Sequence, residues 1–386
     1  MLRPAPIVAV CLASLFAGVH GFAQPPAAPR TFGSVRPVEP PESPLPSEVE
    51  SSAVTRFSFV AYGDTRSQVD GRALQPDHSL VIDRMLATIG ALRSTPFPIR
   101  FVLQTGDAVT NGADSAEWPS FTPLIEKLTR GAGVPYFFTL GNHDVRSGDF
   151  GRALGLQNTL AAMSKLVPAE GSPRRLNGYL TYAVGFGNLF AIAVDSNIAS
   201  DKKQLAWVTH QLEQLDRTRY RHVVAFFHHP MLSSGPHGGN APGPSAAGGD
   251  SVEPASAAMR NLYEPLFRKH HVRMTLTGHD HLYDHWIERY ADKGTAYRID
   301  HVVTGGGGAP IYTYRGEPEV TGYLAAGANQ NVRLEHPMKP GSTAAQNPHH
   351  FVVIQVDGDQ LSLEVVGIGP DEFKPYRGAS RVQLSD

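Results

Sequence analysis

The chain has 386 residues, 41% of them hydrophobic and 18% charged, which suffices for one large core or two modest ones and argues against a disordered chain. Lys and Arg number 34 against 36 Asp and Glu, a formal charge of -2, so there is no electrostatic footprint for nucleic acid or an anionic membrane. The expected partner is a small molecule.

The N-terminus, MLRPAPIVAVCLASLFAGVHGFAQPP, has one arginine, an apolar run from Ile7 to Val19 and the small-x-small pattern Gly21-Phe22-Ala23. It reads as a secretory signal over residues 1–23, cleaved after Ala23. The run is shorter than the about 20 residues a span needs, so no stable membrane insertion is expected after cleavage, and the mature chain is expected to be periplasmic or secreted. The single cysteine, Cys11, lies inside this segment and leaves the mature chain without a thiol. Residues 24–54, rich in Pro, Ser and Glu, read as an extended linker with too little apolar material to pack.

A catalytic domain is expected over 55–370, with 371–386 as a tail. Its apolar runs each stop at Gly, Asp or His: RFSFVAYGD, IRFVLQTGD, PYFFTLGNHD, LFAIAVDS, HVVAFFHHP and VRMTLTGHDH. Helical periodicity falls between several of them, over His78–Leu92, Ser115–Leu128 and Lys202–Leu215. Strands alternating with helices predict an α/β protein. Ligands in such sheets gather beyond the carboxyl ends of the strands, so the polar strand ends predict a site built from many loops. Residues 231–256, rich in Gly, Pro and Ala, read as a rim of that site or as a surface excursion. HFVVIQVDGDQLSLEVVGI predicts a closing hairpin with Asp-Gly at its turn.

In order, the polar ends supply Asp64, Asp107, Asn142, His143, His228, His229, His279 and His281. Carboxylate, amide and imidazole donors without sulfur suit Zn, Mn, Fe or Co, and this set is large enough for two ions. Two cations about 3.5–4 Å apart can clamp a phosphoryl group and acidify a water. In GHDHLYDH, His279 and His281 are two apart and can face the same way, whereas His285, Asp280 and Asp284 are read as non-ligating.

The ordered strings GD, GD, GNHD, HHP and GHDH, between Phe57 and Tyr314, resemble the metallophosphoesterase superfamily, the calcineurin-like phosphoesterases. GHDHLYDH, with HHPMLSSGPHG and TGGGGAPIY around it, is similar to the purple-acid-phosphatase-like branch. The resemblance implies a four-layer α/β fold, a β-sandwich flanked by helices. It implies two divalent or mixed-valence transition-metal ions (Mn, Fe or Zn) bridged by Asp107, with Asp64 and His281 on the first and Asn142, His228 and His279 on the second. His143 matches the histidine that contacts the phosphate or protonates the leaving oxygen, and His229 and His237 fall near the substrate. The implied reaction is extracytoplasmic hydrolysis of a small phosphate ester by a hydroxide held at a binuclear metal centre. A monoester is the first expectation; a cyclic-nucleotide, nucleotide-sugar or lipid-headgroup diester is the alternative, as is a non-catalytic metal- or phosphate-binding module.

Two departures from the family pattern concern the first ion. Members carry Asp-x-His in the first motif, or a tyrosine three residues after the second-motif aspartate; here those positions hold Arg66 and Thr110. Water, Tyr62 or Asn111 could fill the gap, or the ion binds weakly. Arg66 cannot coordinate, being always protonated, but guanidinium grips phosphate in bidentate fashion; the alternative is a salt bridge to Asp144. His237 has two readings, a phosphate contact or an exposed loop histidine. The tetrad Gly305–Gly308 predicts close backbone packing beside the site.

Overall fold

The structure, a computed structural model, describes residues 35–66, 74–146, 152–239, 252–368 and 381–384. The signal expected at 1–23, the start of the linker and much of the Gly/Pro-rich insertion lie outside the described residues.

The chain starts with β1 (Arg56–Tyr62), α1 (Pro76–Leu92), β2 (Ile99–Gln104), α2 (Trp118–Glu126) and β3 (Tyr136–Phe138), and its three strands are parallel neighbours. Pro76 opens α1, where its missing N–H costs nothing, and Val81, Ile82, Met85 and Ile89 form one buried stripe along it. Then come α3 (Arg152–Met163), the hairpin of β4 (Tyr182–Phe186) and β5 (Leu189–Ala193), α4 (Lys202–Glu213) and β6 (His222–Phe226). They are followed by α5 (Pro254–Ala258), α6 (Glu264–Lys269), β7 (Met274–Thr277) and the hairpin of β8 (Tyr283–Asp292) and β9 (Thr295–Thr304). The last elements are α7 (Thr321–Ala326), β10 (Arg333–Met338), the hairpin of β11 (His350–Asp357) and β12 (Gln360–Gly367), and β13 (Arg381–Gln383).

Among the described residues these strands form a six-stranded sheet, β13-β12-β11-β1-β2-β3, and a seven-stranded sheet, β10-β8-β9-β7-β6-β5-β4. The second sheet is apolar on both faces. Along β5, Leu189, Ala191 and Ala193 face the inter-sheet core, while Phe190 and Ile192 join Val208 and Leu212 of α4 on the outer side. β6 repeats the alternation, with Val224 and Phe226 inside and Val223 and Ala225 outside, which is why both runs read as unbroken apolar stretches. Phe57 of β1 meets Phe186 of β4 across the sandwich, centroids 5.0 Å apart at 88°. Helix, sheet, sheet and helix therefore stack in the four layers expected, with α1 against β11 and α4 against β5 and β6.

Two segments differ from the sequence reading. Residues 35–54 do not hang free as a linker: Val38 is fully buried and its N–H reaches the Ala162 carbonyl at 2.8 Å. Glu48 accepts from Arg174 Nε and Nη2 at 2.7 and 2.8 Å and from the Tyr220 hydroxyl at 2.6 Å, so polar contacts dock a segment that has few apolar side chains. In the expected tail, Arg381–Gln383 add an antiparallel edge strand to β12. No helix among the described residues is long and apolar enough to cross a membrane.

Candidate metal centre

The turns leaving β1, β2, β3, β6 and β7 converge at the carboxyl ends of the parallel strands and bring Asp64, Asp107, Asn142, His228 and His279 together. Asp64, Asp107 and His279 take φ of 60°, 58° and 70°, the left-handed region that non-glycine residues avoid. Neighbouring loops hold them there. The Asp64 N–H donates to the Gly106 carbonyl at 3.0 Å, and the Thr65 and Arg66 N–H groups donate to the Asp107 carbonyl at 2.9 and 3.1 Å. Gly141 and Gly278 allow the approach: a Cβ would lie 2.0 Å from Asp107 Oδ1 at the first and 2.2 Å from Asp64 Oδ2 at the second.

One set of donors is a candidate cation site. His228 Nδ1 lies 2.9 Å from the Thr105 carbonyl and His279 Nε2 lies 2.8 Å from Glu253 Oε2. Neither partner oxygen carries a proton, so each ring donates there and presents its other nitrogen bare. The bare atoms, His228 Nε2 and His279 Nδ1, face each other at 3.1 Å; Asn142 Oδ1 lies 2.9 and 3.1 Å from them, and Asp107 Oδ1 lies 3.4 Å from His228. Oriented this way, four lone-pair atoms converge with no hydrogen-bond donor among them, an arrangement that a metal ion satisfies. Burial pushes both imidazoles down to about 4, so they are neutral, ligand-ready bases at neutral pH.

The other set has a different environment. Asp64, Asp107 and His281 offer ligand atoms within 4.8 Å of one another. His281 Nδ1 lies 2.7 Å from the Pro310 carbonyl, which leaves Nε2 bare, and Tyr312 stacks on the ring at 4.1 Å. Arg66 enters this set, with Nη2 3.3 Å from His281 Nε2 and Nε 3.5 Å from Asp107 Oδ2. Burial, then the neighbouring Asp107 charge, push the Asp64 carboxyl well above its ordinary range. Asp107 itself lies below the usual carboxylate range: burial opposes this, but His228, His143 and Arg66 outweigh it.

Around these sets stand the other expected residues. His143 Nδ1 lies 2.7 Å from the Thr110 carbonyl, which turns Nε2 to within 3.9 Å of Asp107 Oδ2. His229 is tied to Ser196 through ring and backbone, at 2.8 and 3.0 Å. His237 is half-buried, its ring 4.2 Å from that of His279 and its Nδ1 2.5 Å from Glu253 Oε1. Glu253, which no motif singled out, thus joins His237 to His279 and forms a further possible metal-holding group with His229 and His279. A cleft of ≈ 820 Å³ opens on this side, lined by Asn142, His229, His237, Glu253, His279 and the 196–201 turn.

Several suggested substitutes and partners lie elsewhere. The Tyr62 hydroxyl bonds His78 and Tyr136, and Asn111 caps Ala113, so neither completes the first set. Asp144 binds backbone amides instead of Arg66. His285 pairs with Asp300 at 2.6 Å in the core, and Asp280 and Asp284 hold Ser233 and Ser234. Glu264, Glu288 and His301 also cluster, but Arg268 reaches Glu288 at 2.9 Å and the group is a buried ion-pair network under α6. The glycine tetrad packs closely as expected, the Gly307 N–H donating to the Gly63 carbonyl at 2.8 Å.

A family model described as calcineurin-like phosphoesterase matches residues 81–283. Probable purple acid phosphatase 20 of Arabidopsis thaliana is 25% identical over 179 residues, 46% of this chain and 38% of the relative. Purple acid phosphatase 22 of the same plant is 22% identical over 222 residues, 58% of this chain and 46% of the relative. The solved structure of purple acid phosphatase PPD1 from yellow lupin (Lupinus luteus) seeds has a TM-score of 0.58 at 17% identity, over 86% of this chain and 54% of that one. The chain thus spans less than half the length of these two curated relatives.

Proposed function

Because the chain belongs to the calcineurin-like phosphoesterase family, we propose that it is an extracytoplasmic, metal-dependent phosphoric ester hydrolase that prefers monoesters. The observation that carries this reading is the donor-free convergence of Asp107, Asn142, His228 and His279 beside His143 Nε2. A metal ion held by those four residues would supply positive charge for the phosphoryl oxygens and acidify a water. The first set, Asp64, Asp107 and His281, supports a second positive charge at the same centre, as the binuclear expectation requires.

The protein's own groups have separable roles. The Thr110 carbonyl accepts the His143 Nδ1 proton and fixes the ring, so Nε2 faces the centre and would donate to the leaving oxygen from the doubly protonated ring. Arg66, anchored through its backbone N–H to Asp107, offers guanidinium N–H groups to phosphate oxygens. His229 and His237 flank the cleft on the far side of His279. The Arg66 guanidinium together with the charge of a bound metal suits a dianionic monoester. The ≈ 820 Å³ cleft favours a second reading, a diester whose other substituent lies there. The expected signal over 1–23 supports export to the periplasm or beyond.

Turnover of matched phosphomonoesters and diesters by the full chain, with and without added Mn(II), tests the proposal. Metal-dependent hydrolysis with the monoester ahead is expected. A preference for the diester would shift the reading to the second substrate class, and a metal-loaded protein inert toward both would overturn it.

A further inference from the structure

We propose that the Arg66 guanidinium takes the place of the first metal ion, so that the centre works with one tightly held metal and one fixed organic cation. This rests on the hydrolase reading above and specifies how its second positive charge is supplied.

The two donor sets differ in what faces them. In the set of Asp107, Asn142, His228 and His279, the bare nitrogens, the amide oxygen and the carboxylate oxygen confront one another with no proton between them, although Asp107 Oδ1 also accepts the His143 backbone N–H at 3.0 Å. In the set of Asp64, Asp107 and His281, the bare Nε2 of His281 accepts an N–H from Arg66 Nη2 at 3.3 Å, using the lone pair a metal would need. Arg66 Nε, which makes no hydrogen bond among the described residues, lies 3.5 Å from Asp107 Oδ2, so two of the three ligand groups are engaged by one guanidinium. Asp64 Oδ1 is buried without a hydrogen bond among the described residues, 3.5 Å from His281 Nε2.

The guanidinium is also held in place. Its side chain is 8% exposed, the Arg66 N–H is bonded to the Asp107 carbonyl at 3.1 Å, and His281 is pinned between Pro310 and Tyr312. A dication added to this set would sit against a buried monocation that cannot lose its charge, which the low local dielectric penalises. The first-motif position that supplies an imidazole elsewhere in the family thus supplies positive charge directly, aimed into the same carboxylates. Guanidinium provides N–H donors and charge for a phosphate oxygen but no Lewis acidity, so acidification of water falls to the remaining metal.

The test is a metal count with an electronic readout. Full chain equilibrated with Mn(II) and freed of excess is expected to carry about one ion with the EPR spectrum of isolated Mn(II). Arg66→His restores an imidazole at the motif position and should raise the count to about two, with an exchange-coupled spectrum. If that variant does not fold, Asp64→Asn decides: the count is unchanged under this proposal and falls if Asp64 holds an ion of its own. About two coupled Mn(II) ions in the wild-type chain would overturn the role of Arg66 and leave the hydrolase reading intact. One isolated ion with no hydrolysis would sink the hydrolase reading instead, and no bound ion would sink both.

Discussion

The Asp144 carboxylate holds Asp107 in place through the backbone: one oxygen accepts the Asp107 N–H at 2.7 Å and the Gly141 N–H at 2.8 Å. The other oxygen accepts the Ala108 N–H at 2.8 Å. A single buried side chain therefore sets the turns after β2 and β3, and with them the placement of Asp107 and Asn142. Asp144→Ala leaves three amides without their acceptor, at about 1–3 kcal/mol for each that stays buried and unmet. Expected together are a loss of about 3–5 kcal/mol in denaturant unfolding and a fall in bound metal. Normal metal content in the variant would show that the turns hold their shape without Asp144.

His143 donates its backbone N–H to Asp107 Oδ1 at 3.0 Å, while its side chain flanks the centre, Nε2 3.9 Å from Asp107 Oδ2 and Nδ1 tied to Thr110. It belongs to neither donor set, so His143→Ala should lower turnover by about 10²–10⁴-fold while metal per chain stays at the wild-type value. Paired kinetics and metal analysis check this. Metal lost in step with activity would make His143 a ligand and remove it from the proton-donating role.

Under the proposed metal set, Glu253 would act on the ion through His279. Its Oε2 takes the Nε2 proton at 2.8 Å and thereby keeps Nδ1 bare for the ion. Glu253→Gln can orient its amide to donate to Nε2, which would put the proton on Nδ1 and weaken metal binding by about 10–100-fold. Titration of Mn(II) into wild type and variant reads this directly. Unchanged affinity would mean that the ring keeps its tautomer without Glu253.

How far the sequence foretells this centre depends on how local each signal is. Asp64, Asp107, Asn142, His228 and His279 were legible because each closes an apolar run, four of them just after a glycine, and strand ends are where α/β sheets place ligands. The alternation along β5 and β6 was hidden inside runs apolar on both faces, yet those runs still marked buried strands. Glu253 was not legible: it closes a Gly/Pro-rich insertion with no motif of its own and meets His279 only through the fold. Arg66 stood out as a departure, but its aim at His281 depends on a contact 215 positions away. Asp144 lies inside GNHD and from sequence alone reads only as the alternative salt-bridge partner of Arg66; its backbone amide partners come from the turns after β2 and β3, which side-chain pairing does not reveal.

His78 makes stability depend on pH away from the centre. It is fully buried, with Nδ1 2.7 Å from Gln75 Oε1 and Nε2 3.1 Å from the Tyr62 hydroxyl, and burial pushes its imidazole down to about 3. His350, also buried, is pushed down to about 4. Folded values below the ordinary 6.5 mean that the unfolded chain binds these protons first. The stabilisation is therefore complete above about pH 6.5 and drains away as the pH falls toward the folded values. Each such group contributes a slope of up to about 1.4 kcal/mol per pH unit across that window. Unfolding free energy measured between neutral pH and the acid side should fall accordingly. His78→Gln should flatten the profile by one group's share, whatever it costs at neutral pH. An unchanged slope in that variant would mean that His78 takes up its proton in the folded protein as readily as in the unfolded chain.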